Sequence, residues 1–132
     1  MVDIGAPAKV RVLVVDDSSV VRLYYRSALE SAGFEVEQAI NGIEAMERAL
    51  SKPFDLVIVD VNMPRMDGLT FLRALRRSAA DVAVLPALMI STESETQDVA
   101  AARAAGANFY LVKPVAEAEL VRHVCVLTGD AS

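Results

Sequence analysis

Residues 55–68 read DLVIVDVNMPRMDG. The apolar run Leu56 to Val59 is continuous and β-branched after its first residue, the composition of a strand rather than a helix. A strand that is apolar at every position needs cover on both faces, which is the situation of a central strand in a parallel sheet. The run stops at a single acid, Asp60. After it come the turn-forming Met63-Pro64 and then Asp67, placed to cap a helix that starts at Gly68.

Working outward from this unit, the same alternation recurs along the chain. Short β-branched runs alternate with segments whose apolar residues repeat at helical spacing, which predicts five βα units and a parallel α/β sheet. The expected strands are Lys9 to Val15, Glu35 to Ala39, Leu56 to Val59, Ala87 to Ile90 and Phe109 to Val112. The expected helices cover 19–32, 42–51, 68–78, 94–105 and 116–127. Ser18 can cap the first helix, Gly33 can end it, Asn41-Gly42 makes the next turn, and Gly106 closes the Ala-rich fourth helix. The first strand, VRVLVV, resembles the third in being nearly all apolar, whereas the second, EVEQA, is polar enough for a sheet edge. One domain is expected over 9–127, with short tails at 1–8 and 128–132 and no linker.

Composition restricts the function. At 132 residues and 54% hydrophobic content the chain fills one core, and no second domain has room. The N-terminal residues lack a basic stretch followed by an apolar one, and the longest apolar run, Val82 to Ile90, is broken by Pro86. A cytoplasmic protein without a membrane partner is expected. A net charge of −5 and the lack of any Lys/Arg run argue against direct nucleic-acid binding. The single cysteine, Cys125, lies among Val124, Val126 and Leu127 and reads as a small core hydrophobe.

The chemistry is written where the strands stop. The first strand runs into Asp16-Asp17, the third into Asp60, the fourth into Ser91 and the fifth into Lys113. In an open parallel α/β sheet all strand C-termini share one edge, and ligands bind there where the strand order reverses. Three carboxylates in one crevice repel one another unless a cation sits between them. An all-oxygen carboxylate set with room for water and a phosphate oxygen suits Mg²⁺ better than Ca²⁺. Lys113 supplies a compact positive charge opposite the acids, and Ser91 a hydroxyl able to donate to a phosphoryl oxygen. Each residue also has an ordinary reading. Asp16-Asp17-Ser18 suits a helix N-terminus, Asp60 a turn, Ser91 a cap and Lys113-Pro114 a surface loop. Their joint placement on one edge is what favours a site.

Taken together, VLVVDD, VIVDVNMPRMDG, MIST and YLVKP resemble the receiver domains of bacterial response regulators, the aspartate-phosphorylated modules of two-component signalling. The likeness spans residues 9–127 and is nearest to the stand-alone, CheY-like chemotaxis regulators. It implies a flavodoxin-like (βα)₅ fold with strand order 2-1-3-4-5, for which the chemotaxis member is a standing example. It makes Asp60 the phosphoacceptor, Asp17 a direct Mg²⁺ ligand, Asp16 an acid acting partly through water, and the Asn62 backbone carbonyl a further ligand. Lys113 pairs with the phosphoryl group, across a Lys113-Pro114 bond that is typically cis in the family and would point the lysine into the crevice. Ser91 stands where threonine is more usual as the switch hydroxyl, and Tyr110 takes the aromatic switch position. Asn62 and Glu93 fall where water access to the phosphoaspartate is set, a polar pair that resembles those of fast-dephosphorylating regulators.

The resemblance further implies a histidine kinase as phosphodonor and a readout surface on the fourth helix, fifth strand and fifth helix. It implies no enzyme in the ordinary sense, only a protein that assists its own phosphotransfer and dephosphorylation. A monomer before phosphorylation is expected. With nothing after Val126 to act as an output domain, the expected target is a protein in trans, with the flagellar motor switch as first choice. A phosphate sink, a phosphorelay shuttle and a cell-cycle regulator are the alternatives within the family. A haloacid dehalogenase-type phosphatase is the alternative outside it, although its nucleophile follows the first strand in a DxDx[TV] pattern where this chain has DDSS. His123, beside Arg122, is expected to be solvent-exposed surface rather than a second phosphorylation site. Arg22, Tyr24 and Tyr25 read either as a docking face or as cover for the first strand with one tyrosine left wet.

Overall fold

The computed structural model describes residues 9–129, and the greater part of both expected tails, 1–8 and 130–132, lies outside the described residues. Five parallel strands form one sheet in the order β2-β1-β3-β4-β5. They are β1 (Arg11–Val15), β2 (Glu35–Ala39), β3 (Leu56–Asp60), β4 (Ala87–Ser91) and β5 (Phe109–Val112). The helices are α1 (Ser19–Ser31), α2 (Gly42–Ser51), α3 (Gly68–Arg76), α4 (Ala80–Ala83), α5 (Thr96–Ala105) and α6 (Glu117–Thr128). The flavodoxin-like order expected from the resemblance is thus observed.

Burial explains why the strands read as they do. Every residue of β3 and β4 is buried, whereas β2 and β5, at the two edges, are mostly exposed or half-buried. Alternate side chains of each central strand feed two separate cores. Leu13, Val15, Val57, Val59 and Met89 pack with Phe71, Leu72 and Leu75 of α3, Ala45 and Ala49 of α2, and Ala102 and Ala105 of α5. Val12, Val14, Ile58, Leu88 and Ile90 pack on the other face with Tyr25 and Leu29 of α1 and Leu120 and Val124 of α6. Tyr25 is buried and Tyr24 is 40% exposed, its hydroxyl donating to the Val115 carbonyl at 2.9 Å. The tyrosine pair therefore splits into one that covers the sheet and one that stays wet.

The caps expected at Ser18 and Asp67 form, and Asn41, expected only to make a turn with Gly42, caps α2 as well. Val21 N donates to Ser18 Oγ at 3.3 Å, Glu44 N to Asn41 Oδ1 at 2.8 Å, and Thr70 N to Asp67 Oδ1 at 2.8 Å. Gly106 ends α5 at φ 112°, a left-handed conformation that a side chain would strain. Some boundaries move. β1 starts at Arg11 rather than Lys9, and α6 runs through Thr128, one residue into the expected tail. Asp60 and Ser91 lie inside the sheet ladder, paired with Ile90 and Val112, rather than just beyond it. The third helix stops at Arg76, and the four-residue α4 was not legible in the Ala-Ala-Asp-Val run.

At that stop Ser78 N donates to the Leu75 carbonyl at 3.1 Å and Ser78 Oγ to the Ala74 carbonyl at 3.0 Å, while Arg76 turns to more distant partners. Its guanidinium donates to the carbonyls of Ala83, Leu85 and Gly106 and to Asn108 Oδ1, at 2.6–3.1 Å. One side chain thereby ties the end of α3 to α4 and to the α5–β5 turn. His123 corrects an expectation. It is half-buried rather than fully exposed, its ring stacked on Phe109 with centroids 4.8 Å apart and its Nδ1 2.8 Å from the Glu119 carbonyl. An edge strand that presents an aromatic ring gives the neighbouring helix something to cover. Cys125 is likewise only half-buried, packed at the margin of the α1–α6 core.

Candidate functional site

The strand order reverses between β1 and β3, and the residues that end those two strands meet at the C-terminal edge of the sheet. Carboxylate oxygens of Asp16, Asp17 and Asp60 lie within 4.8 Å of one another. Asp60 is 7% exposed and Asp16 2%, while Asp17 is exposed at the mouth. Lys113 reaches into the same crevice, its Nζ 3.1 Å from Asp16 Oδ2 and 3.3 Å from Asp60 Oδ1. The Lys113-Pro114 bond is cis.

Local structure holds each acid. Asp16 N donates to the Ala39 carbonyl at 3.1 Å, and Ser18 N donates to Asp16 Oδ1 at 2.9 Å, so the first acid folds the turn into α1 around its own carboxylate. Asp60 is held by the ladder to β4 and by the close passage of α3. A Cβ on Gly68 would collide with the Asp60 carbonyl, so only glycine lets the helix start there, with Gly68 N donating to Val61 O at 2.9 Å.

Burial, followed by the neighbouring charge of Asp16, pushes the Asp60 carboxyl up to about 6, although Lys113 works against the rise. Burial acts to lower the Lys113 ammonium, but Asp16 and Asp60 outweigh it and hold the pKa above its ordinary value. One lysine does not neutralise three acids. A donor set made only of carboxylate oxygens, with Asp60 driven toward protonation, fits a hard divalent cation of the Mg²⁺ class.

The other expected site residues line the rim. Ser91 is fully buried, its Oγ accepting from Glu93 N at 3.1 Å. Tyr110 is half-buried and donates its hydroxyl to the Glu93 carbonyl at 2.7 Å. Asn62 Nδ2 donates to Glu93 Oε1 at 2.8 Å, a bond that spans the crevice from the β3–α3 loop to the β4–α5 loop. Glu93 thus joins Ser91, Tyr110 and Asn62, a convergence that spacing along the chain does not reveal. Arg22 has two expected roles, in a docking face or in the cover of the first strand. It turns toward the site, donating to the Asp16 carbonyl at 2.7 Å and to Gln38 Oε1 at 3.0 Å, and the only prior signal was its position one turn into α1.

The fold and crevice define a doubly wound α/β protein that gathers acids, a lysine and a hydroxyl at its switch point. The family model described as Response regulator receiver domain matches residues 12–125, and the chain belongs to that family. It is 44% identical over 117 residues to the transcriptional regulatory protein PrrA of Mycobacterium leprae (strain TN), covering 89% of this chain and 49% of the relative. The chain thus spans about half the length of the curated relatives it matches. The chemotaxis response regulator CheY4 of Vibrio cholerae superposes with a TM-score of 0.86 at 37% identity, covering 91% of this chain and 99% of that one. A response regulator from Chloroflexus aurantiacus J-10-fl gives 0.87 at 33% identity, covering 92% and 99%. As a receiver, the chain is part of a two-component phosphorylation switch. Among the described residues no helix is long and apolar enough to cross a membrane.

Proposed function

We propose that Asp60 accepts a phosphoryl group from the phosphohistidine of a histidine kinase and that the resulting acyl phosphate switches the surface read by a target. An Asp60 carboxylate oxygen attacks phosphorus, the P–N bond breaks, and its electron pair leaves with the imidazole. Phosphoryl transfer asks chiefly for alignment and charge neutralisation. Asp16, Asp17, Asp60 and the Asn62 backbone carbonyl would hold Mg²⁺, which when bound offsets the charge on the moving group. Lys113 places its ammonium on a phosphoryl oxygen, exchanging part of its pairing with Asp60 for that contact. Ser91 then donates its hydroxyl proton to another phosphoryl oxygen, and its link to Glu93 N passes the shift to the loop that Tyr110 also holds.

The observation that carries this reading is Asp60, buried at the end of the central strand, 3.3 Å from Lys113 and grouped with two further acids. Labelling with radioactive acetyl phosphate tests it. Wild type takes up one phosphate per chain, and Asp60→Asn takes up none; equal labelling of the two removes Asp60 as acceptor.

The output is proposed in two forms. Docking on the flagellar motor switch in a chemotaxis pathway is favoured by the Asn62–Glu93 pair and by the likeness to CheY4 along that protein's full length. Action as the receiver half of a transcriptional regulator is favoured by the 44% identity to PrrA over half its length. Phosphorylation-dependent binding to a motor-switch peptide decides for the first, and absence of binding with intact phosphorylation decides for the second or for a sink or relay role. Repeated turnover of a generic phosphomonoester would instead indicate a phosphatase.

A further inference from the structure

Asp17 differs from its two partners in having no donor of its own. Asp16 receives Ser18 N and Lys113, Asp60 receives Lys113, but no described residue donates a hydrogen bond to the Asp17 carboxylate. No side-chain bond fixes its carboxylate, so the part of its placement that neighbours hold is the backbone from which it projects, the peptide between Asp16 and Asp17. The carbonyl of that peptide accepts from Arg22 Nη1 at 2.7 Å, while Arg22 Nε is anchored at 3.0 Å on Gln38 of the neighbouring strand β2. The planar fork of a guanidinium fixes both bonds at once, which a lysine ammonium on a flexible stem cannot reproduce.

We propose that Arg22 is a positioning residue for the cation site, orienting the Asp17 carboxylate by clamping the Asp16–Asp17 peptide to the end of β2. This rests on the reading that Asp16, Asp17 and Asp60 hold a divalent cation. The proposal has a sign that charge alone does not share. A guanidinium beside a metal site repels the metal, so its removal by itself tightens binding. Loss of positioning weakens binding, and partners behind a metal ligand are typically worth about 10- to 100-fold in affinity.

The test is calorimetric titration of Mg²⁺ alone into the full chain, with circular dichroism to confirm that each variant is folded. Arg22→Met and Arg22→Lys are both expected to bind Mg²⁺ about 10-fold more weakly than wild type. Gln38→Leu, which touches no carboxylate, is expected to shift affinity in the same direction. Affinity in Arg22→Met equal to or tighter than wild type, with Asp17→Asn clearly weakened, overturns the positioning role while leaving the cation site standing. If Arg22→Met does not fold, unchanged affinity in Gln38→Leu overturns it. Wild type that shows no saturable Mg²⁺ binding, or Asp17→Asn that binds as wild type does, overturns the cation-site reading and this inference with it.

Discussion

At Asp60, burial and the charge of Asp16 raise the carboxyl to about 6, opposite to the shift of a carboxylate that gains a cationic partner. The sign of the pH dependence follows. A folded pKa above the unfolded value of about 4 means that stability is fully present below that value and is lost as pH rises through about 6. Metal-free wild type should therefore lose about 1–3 kcal/mol between those limits in urea titrations, whereas Asp60→Asn, which cannot ionise, should not. A second prediction concerns Asn62 and Glu93, joined at 2.8 Å across the crevice. Asn62→Ala and Glu93→Ala should each change the lifetime of the phosphoaspartate several-fold. Because the two side chains touch, the double variant should depart from the sum of the single effects by about 0.5 kcal/mol or more. Strict additivity in decay rates would mean that the bond plays no part in water access.

At the scale of elements, the sheet divides its work between its ends. The C-terminal edge carries acids held close together, while Arg76 staples α3, α4 and the α5–β5 turn through the carbonyls of Ala83, Leu85 and Gly106. Burial lowers the pKa of the Arg76 guanidinium, but its carbonyl partners satisfy its donors. Arg76→Ala leaves those carbonyls without their donor and should cost about 2–4 kcal/mol in urea unfolding. The phosphorylation rate of the folded fraction should stay unchanged, because none of these bonds reaches Asp60. The helix boundaries here were the least legible part of the sequence. The last apolar residue of 68–78 is Leu75, so spacing leaves the end of α3 open among the polar residues Arg76, Arg77 and Ser78, and the structure closes it with Arg77 N and Ser78 N turning back onto the Ala74 and Leu75 carbonyls.

For the molecule as a whole, a cation that binds only the folded state adds stability by mass action, about 2.7 kcal/mol at a hundredfold excess over its dissociation constant. Mg²⁺ should raise the melting temperature of wild type at pH 7, and chelation should reverse it. The gain should shrink in Asp60→Asn and fade as pH drops below about 6, where protonation of Asp60 competes with the metal. A thermal shift of the same size in Asp60→Asn would place the metal elsewhere.

What the sequence determined by itself was everything that depends on a repeating local rule. Apolar residues at every position of LVIV demanded a strand covered on both faces, and the alternation with helical spacing demanded a parallel sheet, whose geometry alone carries Asp16, Asp17, Asp60, Ser91 and Lys113 to one edge. Only the tertiary structure decided where the long polar side chains went. Arg22 could as well have faced solvent, Asn62 and Glu93 are 31 residues apart, and His123 found Phe109 on an edge strand. Such side chains have many rotamers of similar energy, and the choice among them is made by partners that become neighbours only when the loops meet across the finished sheet.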